Sequence, residues 1–237
     1  MEKTNKTIDA MFKAGVHFGF ARSRRHPTIA PYIFGVKNKV EIFDLEKTVD
    51  LLDAAKKFAA SVGSTGKQII FIGGKYEARA AIRSVAQSIN MPFVDGRWVG
   101  GTLTNFKEIR RRIDKMEKLV EEREKGELAK YTKKERLLID REIARLEHLF
   151  LGIVSVKEMP KAIFVVDPKS EHNAVAEAVE LGIPVIALAG SDCDISNIDY
   201  PIVGNDAAQE SIRFVAGEIA GAYQDGKLQK PIENKPI

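Results

Sequence analysis

The stretch KAIFVVDPKSEHNAVAEAVELGIPVIAL, residues 161–188, decides the fold. Residues 161–166 and 184–188 are short, nearly continuous apolar runs, which predict strands buried on both faces of a sheet. Between them, residues 170–181 place alanine and valine at helical spacing among glutamates, which predicts an amphipathic helix. A helix that connects two such strands is typical of neighbouring parallel strands in a sheet.

The same alternation recurs on both sides of this stretch. An amphipathic pattern that starts at Leu45 predicts a helix ending at Gly63, and predicted strands and helices alternate along the rest of the domain. The chain therefore predicts an α/β fold, a three-layer domain around a mostly parallel sheet of the flavodoxin or Rossmann kind. Further strands are predicted over 68–72, 92–94 and 200–203, and further helices over 75–90 and 207–223.

Two β-rich runs near the N-terminus, residues 32–36 and 40–43, predict a β-hairpin. The residues between them are Lys37, Asn38 and Lys39, so the tip of the hairpin is cationic.

Residues 105–150 interrupt the alternation with 25 charged residues in 46. Their apolar residues recur at heptad spacing and pause near Gly126, which predicts an inserted antiparallel coiled-coil helical hairpin. Such a hairpin either projects to touch a partner or packs back on the domain. The predicted organisation is one discontinuous α/β domain, residues 1–104 and 151–226, the hairpin over 105–150 and a mobile basic tail over 227–237.

Composition excludes several classes of protein. The 237 residues are 44% hydrophobic and 30% charged, enough for a sizeable core and unlike a disordered chain. Cys193 is the only cysteine, so an internal disulfide and a cysteine-based zinc cage are excluded. The N-terminus lacks the apolar centre of a signal peptide, and no apolar run approaches the ~20 residues of a membrane helix. We expect a soluble, cytoplasmic protein.

Charge is distributed unevenly along the chain. The net charge is +4, but residues 1–40, the basic leader, hold eight Lys/Arg against two Asp/Glu, whereas residues 161–226 hold three against eleven. This polarity predicts that one face meets a polyanion. Two alternatives remain at this point: accidental clustering on a solvated surface, and a scaffold whose acidic half docks a basic protein.

No motif predicts catalysis. The GSTGK run at 63–67 lacks the Walker spacing and precedes a strand, so it is excluded as a phosphate loop. The turn at Gly73 and Gly74 follows a strand and opens a helix, so an α/β domain that binds a phosphorylated small molecule there is the alternative function. We predict no cofactor and no metal, because loop aspartates more often cap turns and helices than bind cations. The aspartates in question are Asp192, Asp194, Asp199 and Asp206.

Two stretches predict contact with RNA, because arginine pairs with phosphates and stacks on bases. The first is residues 17–27 of the leader, where arginines alternate with aromatic rings, together with the cationic hairpin tip; the second is the loop 96–105, where glycines permit close approach. A core anchor is the alternative for the tryptophan of this loop, and a helix N-cap for its asparagine. The candidate RNA-binding residues are His17, Arg22, Arg24, Arg25, His26, Lys37, Lys39, Arg97, Trp98, Thr104 and Asn105.

Five stretches together resemble the bacterial-type family of small-subunit ribosomal protein number two, in the order found there. They are AMFKAGVHFG at 10–19, PYIFG at 31–35, GRWVGGTLTNF at 96–106, PKAIFVVDPKSEHNAVAEAVELGIP at 160–184 and YPIVGNDA at 200–207. The resemblance implies an α/β domain with a coiled-coil insertion, no catalysis and a structural place between the head and body of the small ribosomal subunit. It also implies small-subunit rRNA and neighbouring ribosomal proteins as partners, including the large mRNA-binding ribosomal protein number one. No membrane and no small-molecule substrate are expected. Gly190 stands where the family often has a carboxylate, which further argues against a metal there.

Overall fold

The computed structural model describes residues 2–228, with side chains from Lys6 onward. The strands are β1 Phe18–Ala21, β2 Ile33–Lys37, β3 Val40–Phe43, β4 Ile69–Ile72, β5 Phe93–Val94, β6 Ala162–Val166, β7 Val185–Ala189 and β8 Tyr200–Val203. The α-helices are α1 Glu2–Lys13, α2 Leu45–Thr65, α3 Tyr76–Ser88, α4 Phe106–Glu124, α5 Lys133–Phe150, α6 His172–Glu180 and α7 Gln209–Leu228.

The main sheet confirms the predicted α/β fold. Its five strands run in the order β5-β4-β6-β7-β8, and every neighbouring pair is parallel. Every residue of β4, β6 and β7 is buried, as expected for strands covered on both faces. None of the helices within residues 2–228 combines the length and apolar character that a membrane span requires.

Helices cover both faces of this sheet. One face packs Phe71 and Phe164 against α2, α3 and α7, with Leu52 and Tyr223 fully buried between the layers. The opposite face packs Ile70 and other alternate strand residues against α4, α5 and α6. Successive side chains along each strand point to opposite faces of the sheet, so the core has two halves, one on each face. A sheet between two layers of helices is the three-layer arrangement.

Helices α2 and α7 approach each other closely enough to require glycine. The prediction that Gly63 ends α2 is wrong, since the helix continues to Thr65 and ends with Gly66 in the left-handed conformation at φ 69°. A Cβ atom on Gly63 would lie 2.1 Å from the Tyr223 carbonyl oxygen, and one on Gly226 would lie 2.0 Å from the Ala60 carbonyl oxygen. Both glycines therefore allow backbone contact between the helices.

A second, three-stranded sheet has the antiparallel order β1-β3-β2. It contains the predicted hairpin, whose two-residue turn places Asn38 and Lys39 at φ 53° and 67°. Positive φ at both central positions is typical of the tight turn that matches strand twist. Strand β1 was not predicted, and it attaches to the rest of the chain where the Phe20 amide donates to Ser191 Oγ at 2.8 Å.

Helices α4 and α5 occupy the range of the predicted helical pair. They are separated by Gly126 at φ 73°, and a capping box between Thr132 and Glu135 begins α5. Near their sheet-proximal ends, buried side chains such as Ile113 and Leu146 join the main core. That the rest of the pair projects as a coiled coil stays a prediction.

The last helix extends beyond its predicted end. It contains Lys227 and Leu228, the first two residues of the predicted basic tail. The rest of that predicted tail, residues 229–237, lies outside the described residues.

Candidate nucleic-acid interface

Arg24 fastens the leader to the acidic half of the chain. Its guanidinium donates to Asp192 Oδ2 at 2.9 Å and lies over the Phe20 ring, 4.3 Å from the centroid. Lys169 donates to the same carboxylate oxygen, also at 2.9 Å. Burial alone would raise the pKa of Asp192, but these two cations lower it below its ordinary value. Arg24 is therefore paired within the protein, although its side chain remains 55% exposed.

Arg25 serves a buried carboxylate. Its Nη1 atom lies 3.3 Å from Oε1 of Glu41, whose side chain is fully buried. Within the described part of the chain neither oxygen of Glu41 has a hydrogen-bond partner. Because a buried charge is costly unless it is paired, Arg25 is the counter-charge of Glu41.

The two candidate histidines are both engaged within the fold. The His17 ring is 8% exposed and stacks on Phe12, with centroids 4.4 Å apart, while burial lowers its pKa. His26 Nδ1 lies 2.8 Å from Thr28 Oγ1, and the His26 amide donates to the Ser191 carbonyl at 2.8 Å. Both residues contact other parts of the fold and brace the leader, although the side chain of His26 remains 37% exposed.

Three other candidate cations remain free. The side chains of Arg22, Lys37 and Lys39 are exposed and form no hydrogen bond or ion pair with any residue of 2–228. The strand register brings them together. Val40 of β3 pairs with Ala21 on one side and with Lys37 on the other, and Arg22 and Lys39 are the chain neighbours of Ala21 and Val40. The three cations therefore stand at one end of the small sheet. We call them the leader cluster.

Glu177 of α6 organises the second candidate stretch. One of its oxygens accepts from Trp98 Nε1 at 2.9 Å and from the Gly101 amide at 2.8 Å. The other accepts from the Leu103 amide at 2.9 Å and from both the amide and the hydroxyl of Thr104. Burial opposes the charge, but these hydrogen bonds lower the pKa of Glu177 below its ordinary value. One buried carboxylate thus holds the loop in place.

The loop residues divide into buried and exposed groups. Trp98 is 5% exposed and packs in the core, so the core-anchor alternative describes its position. Asn105 is the N-cap residue of α4 by position, although its side chain forms no capping hydrogen bond. Arg97, Thr104 and Asn105 are exposed, and Arg97 has no hydrogen bond or ion pair within 2–228.

A lysine pairs with two carboxylates where the main strands end. Lys75 Nζ lies 3.2 Å from Asp167 Oδ2 and 3.4 Å from Asp206 Oδ2. Burial would lower the pKa of Lys75, but the two carboxylates raise it, and burial raises the pKa of Asp206 to about 6. Potential ligand atoms of Asp167, Cys193 and Asp206 lie within 4.8 Å of one another. The thiol stays protonated, since burial raises the pKa of Cys193 to about 12.

The turn at Gly73 and Gly74 leaves little room for a phosphate. The Gly74 amide already donates to Glu171 Oε1 at 3.0 Å, so a carboxylate occupies the position of an incoming anion. A Cβ on Gly73 would lie 2.8 Å from the Ile82 side chain, and one on Gly74 would lie 2.4 Å from the Gly96 carbonyl oxygen. Close packing therefore accounts for both glycines.

The four loop aspartates have separate structural partners. Besides Asp192 and Asp206, Asp194 accepts from the Ser196 amide and hydroxyl, and Asp199 accepts from the Val185 amide. The position of Asp206, just before the last predicted helix, suggests a helix cap, but Asn205 Oδ1 accepts from the Ala207 and Ala208 amides instead.

Sequence reasoning missed Glu177 and the Lys75 cluster. A signal existed for Glu177, because it falls three residues after Ala174 and one before Ala178, on the buried face of α6. A carboxylate on an apolar helix face predicts an internal partner. No comparable signal marks Lys75, whose partners lie 92 and 131 residues away.

Comparison with known proteins first gives the class, a structural protein of the ribosome. A small ribosomal subunit protein uS2 of Geotalea uraniireducens is 40% identical over 230 residues, which are 97% of this chain and 90% of that relative. A protein of the same name from Chloroflexus aurantiacus is 38% identical over 97% of this chain and 96% of its own length. Another, from Bdellovibrio bacteriovorus, is 41% identical over 93% of this chain and 70% of its own length.

The family follows from a second comparison. The family model described as Ribosomal protein S2 matches residues 11–226, so the chain belongs to the ribosomal protein S2 family. This family is structural and not enzymatic, which confirms the predicted lack of catalysis. Its place is the cytoplasmic ribosome.

The substitution Asp206→Asn tests the buried cluster through pH. A carboxyl whose folded pKa, here about 6, exceeds the ordinary 3.8 contributes stability that is complete below the ordinary value and is lost as the pH rises through the folded value. An asparagine side chain does not ionise, so the variant does not lose this stability as the pH rises. We therefore expect the free energy of unfolding of the variant, minus that of the unchanged chain, to increase from about pH 4 to about pH 6. Urea unfolding across this range measures it.

The matched control is Asp225→Asn, at an exposed carboxylate on α7. For this control we expect a free-energy difference that changes little with pH. A flat or falling difference for Asp206→Asn would show that its pKa is not raised.

Proposed function

We propose that the chain binds rRNA of the small ribosomal subunit, between its head and body, and supports translation as a structural component. The leader cluster of Arg22, Lys37 and Lys39 is the observation that carries this proposal. Three exposed cations that have no partner among the described residues suit a backbone of phosphates, because their charge is available for exchange with counterions.

The remaining candidates have different parts in this proposal. Arg97, Thr104 and Asn105 are exposed and suit direct contact with phosphates and sugars. Arg24, Arg25, His17, His26 and Trp98 are engaged inside the fold, so we propose that they hold the contact surface in shape. Positioning of this kind matters because phosphate contacts fix a protein's register on RNA.

We propose that residues 105–150 form an inserted coiled-coil hairpin in one discontinuous domain made of 1–104 and 151–226. An ion pair links its helices, with Lys115 Nζ 3.5 Å from Glu142 Oε1. Exposed Leu137 and Leu138, at 50% and 53%, supply apolar contact area away from the sheet. This surface suits neighbouring proteins, including the large mRNA-binding ribosomal protein number one that the family resemblance implies.

The test neutralises the leader cluster. We expect Arg22→Gln, Lys37→Gln and Lys39→Gln together to weaken binding to purified small-subunit rRNA and to lower the slope of log affinity against log salt by about 2 to 3. In cells, the variant should shift from the small-subunit fractions of a sucrose gradient towards the top as salt rises. Charge reversal of Arg24 and Arg25 is less informative, because it would also disturb Asp192 and Glu41.

A control variant with the same loss of charge carries Lys57→Gln, Arg213→Gln and Lys227→Gln on α2 and α7, at exposed positions. We expect its salt slope to stay within about 0.5 of that of the unchanged chain. Equal slopes for all three proteins would refute the leader cluster as an RNA contact.

A further inference from the structure

A basic cavity lies where the hairpin helices return to the main sheet. It has a volume of about 380 Å³ and is bordered by α3, by the residues that follow β5 and by the end of α5. Gly152 allows this junction, because a Cβ atom there would lie 2.1 Å from the Phe93 carbonyl oxygen. The lining includes Arg79, Arg83, Arg97 and His148. Of these, only Arg97 was a candidate from the sequence.

Two of the three arginines of the cavity are held in place, and one of these two is paired with a carboxylate. Arg79 Nε donates to the Gly74 carbonyl at 3.0 Å, and its two terminal nitrogens have no partner in the described part of the chain. Arg83 pairs with Asp95 at 2.5 Å, which fixes its direction. Arg97 has no hydrogen bond or ion pair with a described residue. Two guanidinium groups therefore remain available to an anion.

The charge balance of the lining also favours an anion. Its three arginines face two carboxylates, Asp95 and Glu147, so these five side chains together carry a net charge of +1. Asp95 is already taken by Arg83. A neighbouring cavity of about 320 Å³ shares Arg79 and Arg97 with the first, so these two arginines border both concavities.

We propose that Arg79 and Arg97 clasp a phosphate of the RNA backbone at this junction, with Arg83 beside them, as a contact separate from the leader cluster. This inference rests on the proposed function. A guanidinium presents paired donors that match phosphate oxygens, which makes arginine better suited than lysine to a defined phosphate position. The contact would fix the base of the hairpin helices relative to the RNA, since the same cavity is lined by the end of α5.

The experiment uses the full chain with Arg79→Gln and Arg97→Gln, titrated with purified small-subunit rRNA at several salt concentrations. We expect the slope of log affinity against log salt to fall by about 1, because the clasped phosphate is one contact and each lost phosphate contact removes about one counterion. A second variant, Arg79→Lys with Arg97→Lys, keeps both charges, so it should retain the slope. Lys57→Gln with Arg213→Gln is the control for lost charge alone.

The outcomes separate this inference from the proposed function. An unchanged slope for Arg79→Gln with Arg97→Gln, alongside a reduced slope for the leader-cluster variant, would overturn the phosphate clasp and leave the proposed function standing. Loss of incorporation into small subunits without any change in RNA affinity would mean that the cavity contacts a protein, which also overturns the clasp. Binding by the unchanged chain without salt dependence would refute both proposals.

Discussion

Glu177→Ala is expected to lower the free energy of unfolding by about 3 kcal/mol, because buried donors left without an acceptor each cost about 1 to 3 kcal/mol and part of the loop can turn to water. For a chain of 237 residues this corresponds to a fall in Tm of about 6 to 12 °C. The donors concerned are Trp98 Nε1, the Gly101, Leu103 and Thr104 amides and the Thr104 hydroxyl. Thermal and urea unfolding at pH 7 measure the loss.

Glu180→Ala is the matched control, since Glu180 is an exposed glutamate of the same helix. We expect it to change the free energy of unfolding by less than about 0.5 kcal/mol. The lowered pKa of Glu177 adds a pH test, because its stabilisation is present above the ordinary value of 4.5 and is lost as the pH falls through the folded value. Similar losses for the two alanine variants would contradict the role assigned to Glu177.

Gly63→Ala is expected to destabilise the chain by about 3 kcal/mol, despite the usual preference of helices for alanine over glycine. The added methyl group would lie 2.1 Å from the Tyr223 carbonyl oxygen, and backbone on both sides must shift to make room. Urea unfolding measures the effect as a lower midpoint with an unchanged slope.

Gly217→Ala is the matched control, for which we expect a gain in stability. It lies on α7 with no atom within 4 Å of an added Cβ, so alanine should stabilise the helix by about 0.5 to 1 kcal/mol. If Gly63→Ala also raised stability, the close approach of α2 and α7 would be disproved.

Local pattern predicted most of the architecture, because buried parallel strands such as 162–166 and 185–189 have few alternatives. It failed where tertiary contact decides the outcome. Gly63 resembles a helix terminator in sequence, yet the contact with α7 keeps it inside α2. Likewise β1 contains glycine and exposed positions, and it forms because β3 and Ser191 supply its hydrogen bonds.

The candidate interface was less predictable for the same reason. Counting charges along the chain treated the leader and the acidic half as separate surfaces, whereas Arg24 and Asp192 neutralise each other. Residue type alone also cannot distinguish Arg22, which is free, from Arg25, which is paired with Glu41. The available cations emerge only after the internal ion pairs are known.

The attachment of the leader to the acidic half bears on the order of events during synthesis. The Gly15 carbonyl accepts a hydrogen bond from Asn205 Nδ2, which lies 190 positions later in the chain. The Phe20 amide donates to Ser191 Oγ, which lies 171 positions later. Because a chain is synthesised from its N-terminus, this segment appears long before the residues that fasten it. Until Asp192 is synthesised, Arg24 lacks its carboxylate partner, and the acidic residues that follow position 190 are also missing, so the incomplete chain carries more net positive charge than the complete one.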